Sequence, residues 1–193
     1  GGRDVGLDEI YACLRAHLDG NDALAEEIKE IEQGMELWFT RPRTELIRLL
    51  QRLSGRGMRI VAVSDMYLPK ALIRQMLDHV GADFIDTVYL SNETGFRKDT
   101  GEAWRRLPAL EGVAAGAWLH IGDNEHSDIQ LPVDANYLPP LHILRPAAML
   151  ETVPCLRALH RREFLAWPDQ LWLGLVANRF ADLADRFPAS FGK

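Results

Sequence analysis

Apolar positions in the first forty residues recur at three- and four-residue intervals. Ile10, Leu14 and Leu18 share one helical face over 9–18, with Asp8 placed to cap that helix and Gly20 to end it. Leu24, Ile28, Ile31, Met35 and Trp38 or Phe39 continue the spacing behind a cap at Asn21 or Asp22, and Arg41-Pro42 stops it. Leu46, Leu49, Leu50 and Leu53 predict a third helix ending at Ser54-Gly55-Arg56-Gly57. There the period changes, and Met58-Arg-Ile-Val-Ala-Val-Ser64 reads as a buried strand. Helix and strand then alternate: helix over 69–80, strand over 84–90, helix over 100–107, strand over 117–121. A short strand over 141–144 follows the turn Leu138-Pro-Pro-Leu141. Helical spacing returns over 159–166 and 171–187, where Trp167, Trp172 and Phe180 are expected to pack against the sheet or the helical pair rather than to hold a cofactor.

Such alternation predicts an α/β fold in which helices cover a parallel sheet. Three regions follow: a small helical unit at 7–41, an α/β core at 42–150, and a C-terminal helical extension at 151–193 that packs on the core. The chain has 193 residues and is 47% hydrophobic, enough for a sizeable core. Its formal charge of −6 and the lack of a Lys/Arg block argue against a nucleic-acid partner. No apolar run approaches the roughly 20 residues needed to cross a bilayer, and nothing at the N-terminus reads as a signal peptide, so the expectation is a soluble, cytoplasmic protein without a membrane partner. Cys13 and Cys155 are far apart and outside any C-x-x-C pattern, which predicts buried thiols in a reducing compartment.

Ligands of open parallel α/β sheets bind where the carboxyl ends of strands and their loops converge. That rule selects three loops: Ser64-Asp65-Met-Tyr-Leu-Pro69, Ser91-Asn-Glu-Thr-Gly-Phe-Arg-Lys98, and Gly122-Asp-Asn-Glu-His-Ser-Asp128. Taken singly, Ser64 or Asp65 could cap a helix, Lys98 could be solvated, and the acidic loop could cap the helix after it. Taken together, they supply a hydroxyl for a phosphoryl oxygen, an ammonium to balance its charge, and hard carboxylate oxygens suited to Mg²⁺.

The order strand-Ser, Gly-x-x-Lys, Gly-Asp-x-x-x-x-Asp resembles the haloacid dehalogenase superfamily of phosphohydrolases. Val63-Ser-Asp-Met-Tyr-Leu-Pro69 is similar to its second motif, Gly95-Phe-Arg-Lys98 to its third, and His120-Ile-Gly-Asp-Asn-Glu-His-Ser-Asp128 to its fourth. The wording Ser-Asp-Met-Tyr-Leu-Pro with His-Ile-Gly-Asp-Asn resembles a subgroup in which some members are fused to other domains. The resemblance implies a Rossmann-like sheet with a helical cap and a Mg²⁺-dependent hydrolase acting on a small phosphorylated metabolite or other phosphate ester. It gives Ser64, Asp65 and Lys98 the phosphoryl group, with Ser64 and Lys98 catalytic. Asp123 becomes a Mg²⁺ ligand, Asp128 supports the metal directly or through water, and Asn124 orients the metal ligand or the phosphate.

The family's first motif, an Asp-x-Asp on a strand before the cap, has no counterpart here. Asp4 lies early enough but has neither a preceding strand nor a second Asp two residues on. In the family that strand lies between those carrying Ser64 and Asp123 and supplies the nucleophile and general acid/base. Its absence predicts an unfilled apolar slot, an inactive chain with weak metal affinity, and a fused domain or partner chain to complete the sheet. The competing expectation is a non-catalytic binding or assembly module, and a receiver-type regulator ranks below both. Among other residues, Glu32 and Glu36 share a helical face and are expected to be solvated rather than a specificity element. His120 and His126 are expected to pack or cap rather than ligate metal. Arg97 reads as surface charge, and Asp65 as either a loop brace or a positioner of Lys98.

Overall fold

The computed structural model describes residues 4–151, 154, 157 and 166–186. Helix α1 is Leu7–His17 and α2 is Asp22–Phe39. Asp8 does not cap α1. The Glu9 carboxylate instead accepts from the Gly6 N–H at 2.8 Å, which starts the helix earlier, and Asp8 pairs with Lys29 at 2.6 Å. Asn21 caps α2 as expected, accepting from the Leu24 N–H at 3.1 Å.

The buried face of α1 is also rotated from the expected one. Tyr11 is 4% exposed and Ile10 is 39% exposed. Tyr11 can bury its ring because its hydroxyl donates to Glu32 Oε2 at 2.5 Å, and Tyr67 donates to the other Glu32 oxygen at 3.0 Å. Glu32 is therefore an internal acceptor and not a solvated acid. Cys13 lies exposed on the outer side of the same helix, contrary to expectation, and Cys155 falls outside the described residues. Leu7, Tyr11 and Ala25 pack with Leu68 and Leu72, which seats the helical pair on the loop and helix after the first strand. Small Ala25 permits this close approach. The larger stripe of Ile28, Ile31, Met35 and Trp38 faces solvent instead of the core.

Helix α3 (Thr44–Ser54) leads to β1 (Val61–Ser64), α4 (Lys70–His79) and β2 (Thr87–Leu90), with β1 and β2 parallel and Ser64 opposite Leu90. After the short α5 (Ser91–Thr94) come α6 (Glu102–Glu111) and β3 (Leu119–Gly122). A π-helical turn at Glu125–Gln130 and α7 (Leu131–Asp134) return the chain to β4 (Leu138–His142), parallel to β3. The fold is thus mixed α/β with parallel pairing, but the strands form two two-stranded sheets and not one continuous sheet. Strand β4 begins three residues before the expected 141–144 because Pro139 and Pro140 fit an edge strand, where a missing N–H costs no ladder bond.

Helix α8 (Pro146–Leu150) packs on α9 (Trp167–Arg186) through Leu150, Leu173 and Ala177, with Phe180 against them. Helix α9 also meets α3, where the Thr44 hydroxyl donates to Asp182 at 2.9 Å. Trp167 and Trp172 do not pack as expected: they are 76% and 68% exposed, because the buried face of α9 is the one carrying Leu173 and Ala177. Of the helix expected over 159–166, residues 159–165 lie outside the described residues. Among the described residues, no helix is long and apolar enough to cross a membrane.

Candidate functional site

The three sequence-selected loops meet on one rim. Hydrogen bonds stitch the first two together: Ser91 Oγ accepts from the Met66 N–H at 3.0 Å, and Asn92 Nδ2 donates to the carbonyls of Tyr67 and Leu68 at 3.1 and 3.2 Å. Asp65 completes the seam. Its carboxylate accepts from the Lys98 N–H at 2.9 and 3.1 Å and from the Asp99 N–H at 3.3 Å. Gly95 makes the approach feasible, since its φ of 76° ends α5 in a left-handed turn that carries the chain back toward Asp65. Asp65 is thereby a brace for the Lys98 loop. Its oxygens already hold N–H donors, and a carboxylate has no donor of its own to offer a phosphate.

Lys98 crosses to the third loop. Its ammonium lies 2.7 Å from Asp128 Oδ1, and the two side chains are 15% and 3% exposed. The same oxygen meets His120 Nε2 at 3.2 Å, while Oδ2 accepts from the Asp123 and Asn124 N–H groups at 3.3 and 3.1 Å. Burial alone would raise the Asp128 pKa. The His120 and Lys98 hydrogen bonds, the Lys98 charge and the Asn124 N–H outweigh it and hold this carboxyl well below the usual range. Gly122 is required for this packing, because a Cβ there would sit 2.5 Å from Asp128 Cβ and Cγ. Asn124 spends its Oδ1 as a cap, accepting from the His126 and Ser127 N–H groups at 3.0 and 2.9 Å. Ser64 ends β1 beside Asp65, half-buried, which places it on the same rim.

Two contributors, Arg145 and Trp104, carried no sequence signal. Arg145, on the segment before α8, pairs with Asp123 Oδ2 at 3.1 Å. Trp104, fully buried on α6, donates its indole N–H to the Ser127 carbonyl at 2.8 Å and lies 4.5 Å from the His120 ring, so it fixes the turn that carries Asp128. Ser91 donates to Asp4, and Arg97 reaches Asp4 at 2.8 Å and also binds Asp99. Arg97 is therefore pinned at the rim, not a free surface charge, and Asp4 stands beside the site as a partner of cations and hydroxyls.

The residues present do not by themselves fit Mg²⁺. Asp128 has both oxygens committed, Asp123 shares its carboxylate with Arg145, and no three His, Cys, Asp or Glu among the described residues could hold a metal ion. A Mg²⁺ ion bound through carboxylates needs at least one free, hard oxygen pointing at it. Asp123, 45% exposed, is the carboxylate best placed to offer one. No protein-family model matches the chain, and no curated protein matches it.

Proposed function

We propose that the rim belongs to a phosphohydrolase acting on small phosphate esters, with a haloacid dehalogenase-like fold, and that this chain supplies its phosphate-binding half. The observation that carries this reading is the convergence of Ser64, Lys98, Asp123 and Asp128 from three separate loops, knitted by Asp65 and by the Lys98–Asp128 pair. Lys98 is the group with the chemistry to take a dianionic phosphoryl oxygen. Its N–H is anchored through Asp65 and its ammonium is oriented by Asp128, so little side-chain freedom remains to be lost on binding. The Ser64 hydroxyl can donate to a second phosphoryl oxygen from the end of β1. Asp128 acts through Lys98 and is a positioning residue. Mg²⁺ belongs to the reading only with Asp123 and further oxygen ligands from outside this residue set.

The sequence contains no Asp-x-Asp, so the nucleophilic carboxylate is not among these residues. The expected outcome is no turnover of p-nitrophenyl phosphate by this chain, with or without Mg²⁺, but measurable binding of orthophosphate that Lys98→Met abolishes. When a strand ending in Asp-x-Asp is joined ahead of Gly1, Mg²⁺-dependent hydrolysis is expected, and Lys98→Met should lower its kcat/KM by about 100-fold or more. Failure of orthophosphate to bind, or binding indifferent to Lys98, would sink the reading.

The saturated carboxylates favour a second reading, a binding module that keeps the fold without catalysis. Orthophosphate binding without hydrolysis in the strand-extended protein selects it.

A further inference from the structure

Helix α2 carries its largest apolar side chains on a side that faces solvent. Leu24, Ile28, Ile31, Met35 and Trp38 follow one another at intervals of four, three, four and three residues. That is the repeat of a coiled-coil seam, in which each apolar side chain enters a hole on a facing helix. All five are exposed, and the central Ile31 and Met35 are 55% and 50% exposed. The seam is distinct from the face that α2 buries, which sets Ala25 and Leu37 against Leu68 and Leu72. At about 1.5 Å per residue it runs for about 21 Å, or about four turns. A cavity of about 420 Å³ opens along Ile28, Ile31, Met35 and Phe39, with Tyr11 and Glu32 at its side, so the surface is concave where a partner's side chains would enter.

Spacing alone does not name the cover, but the charges beside the seam do. On a helix with 3.6 residues per turn, Glu27 and Glu30 flank one side of it, and Glu32 and Glu36 flank the other. Glu32 accepts from Tyr11 and Tyr67, and among the described residues none of these four acids is paired with a cation. Lys29, the one cation of α2, lies off the seam and is held by Asp8 and Glu26 at 2.6 and 3.7 Å. A second copy laid against α2 in either direction would set acids against acids. An anionic lipid surface would be repelled as well. A helix with Lys or Arg beside its own apolar stripe meets opposite charge on both flanks.

We propose that the exposed face of α2 is a docking seam for a basic amphipathic α-helix carried by a partner protein. The partner's apolar side chains enter between Ile28, Ile31, Met35 and Trp38, and its Lys or Arg side chains reach Glu27 and Glu30 on one flank and Glu36 on the other. This inference does not rest on the phosphohydrolase reading, because no group of the rim takes part.

The probe is a labelled synthetic peptide of about three heptads with the repeat Leu-Gln-Ala-Leu-Lys-Gln-Lys, and its twin has Glu in place of each Lys. Fluorescence anisotropy against the whole chain is the readout. The Lys peptide should bind, and the Glu twin should bind at least about tenfold more weakly. Ile31→Lys should weaken the Lys peptide by at least about tenfold, whereas Leu119→Lys, an equally exposed leucine on another face, should leave it unchanged. Both variants add the same charge, so general attraction to an acidic chain cannot separate them. Glu27→Gln, Glu30→Gln and Glu36→Gln together should weaken the Lys peptide and flatten its salt dependence, and they leave Glu32 with its tyrosines. Absence of Lys-peptide binding would overturn the proposal. So would equal binding of the two peptides, or a loss as large in Leu119→Lys as in Ile31→Lys. A dimer in sedimentation that Ile31→Lys disperses would assign the seam to a second copy instead.

Discussion

The rim and the cleft are built on the same two strands, yet one is saturated with bonds and the other is open. At the rim Asp65, Asp128 and Ser91 each hold partners, and even Asp123 has found Arg145. In the apolar cleft of about 460 Å³ lined by Val61, Leu119 and Ile121, β1 and β3 each present an edge with no strand beside it among the described residues, and apolar side chains meet solvent. The difference is one of reach. A loop carboxylate satisfies itself by turning a few side-chain torsions toward any nearby donor, whereas a strand edge needs another extended backbone about 4.7–4.9 Å away. A chain can therefore satisfy the polar groups of one site and still leave strand edges open beside it.

Removing the carboxylate at the centre of the rim should break that contrast most severely. Asp128→Ala leaves Lys98 and His120 facing each other in a largely buried place and frees two N–H groups, and losses of about 3–5 kcal/mol are typical when one partner of a buried ion pair is removed. Urea unfolding measures it, and an effect below about 1 kcal/mol would mean the pair behaves as an exposed one. Gly122→Ala comes next. Its methyl would overlap Asp128 and force a shift of the turn, an overpacking cost of about 1–3 kcal/mol. The two together should cost less than their sum, because the alanine at 128 removes the Cγ and Oδ2 with which the new methyl collides and leaves only the Cβ contact.

The same pair fixes the acid limit. The folded-state pKa of Asp128 is depressed, so its contribution is complete above the unfolded value of about 3.9 and is lost as pH falls below it toward the folded value. Asp128→Asn should flatten that part of the stability curve. The helical pair sets an alkaline limit of opposite sign. Tyr11 and Tyr67 are both pushed up to about 12, first by burial and then by their hydrogen bonds to Glu32. Their contribution is whole below the unfolded value of about 10 and is lost as pH rises from there through about 12. Tyrosinate absorbance should report this, and Glu32→Gln should lower the midpoint by removing the carboxylate that opposes deprotonation.

What was legible in the sequence was set by how local the physics is. The strand runs at 58–64 and 117–121, the cap at Asn21 and the three polar loops follow from spacing and loop chemistry within about ten residues, and the structure brings those loops together. The partners of the loops were not legible. Arg145 meets Asp123 only after β4 and α8 have turned the chain, and Trp104 reaches the Ser127 carbonyl from another helix. Tyr11 took the buried place expected for Ile10 because an acceptor twenty-one positions later could satisfy its hydroxyl. Conversely, the α2 stripe has ideal helical spacing and still faces solvent. Periodicity states that a face is apolar and does not say what covers it. The parallel pairing expected from the alternation is present in β1–β2 and β3–β4, but the single sheet is not, because among the described residues no strand bridges β1 and β3, a long-range matter that spacing along the chain does not encode.

The smallest expected effect sharpens the comparison most. Leu119 and Leu90 are both strand leucines, 53% and 0% exposed. Leu90→Ala removes fully packed atoms and should cost about 2–5 kcal/mol. Leu119→Ala removes atoms that water already touches, and the change should stay within about 0.5 kcal/mol, as for an ordinary surface position. Both are read from urea midpoints on the same chain at one pH. If the cleft closes in solution by β1 and β3 moving together, Leu119 would be buried between them and its truncation would cost as much as that of Leu90. Near-equal losses would therefore show that the strands pair without help, and a wide gap would show that their edges remain open.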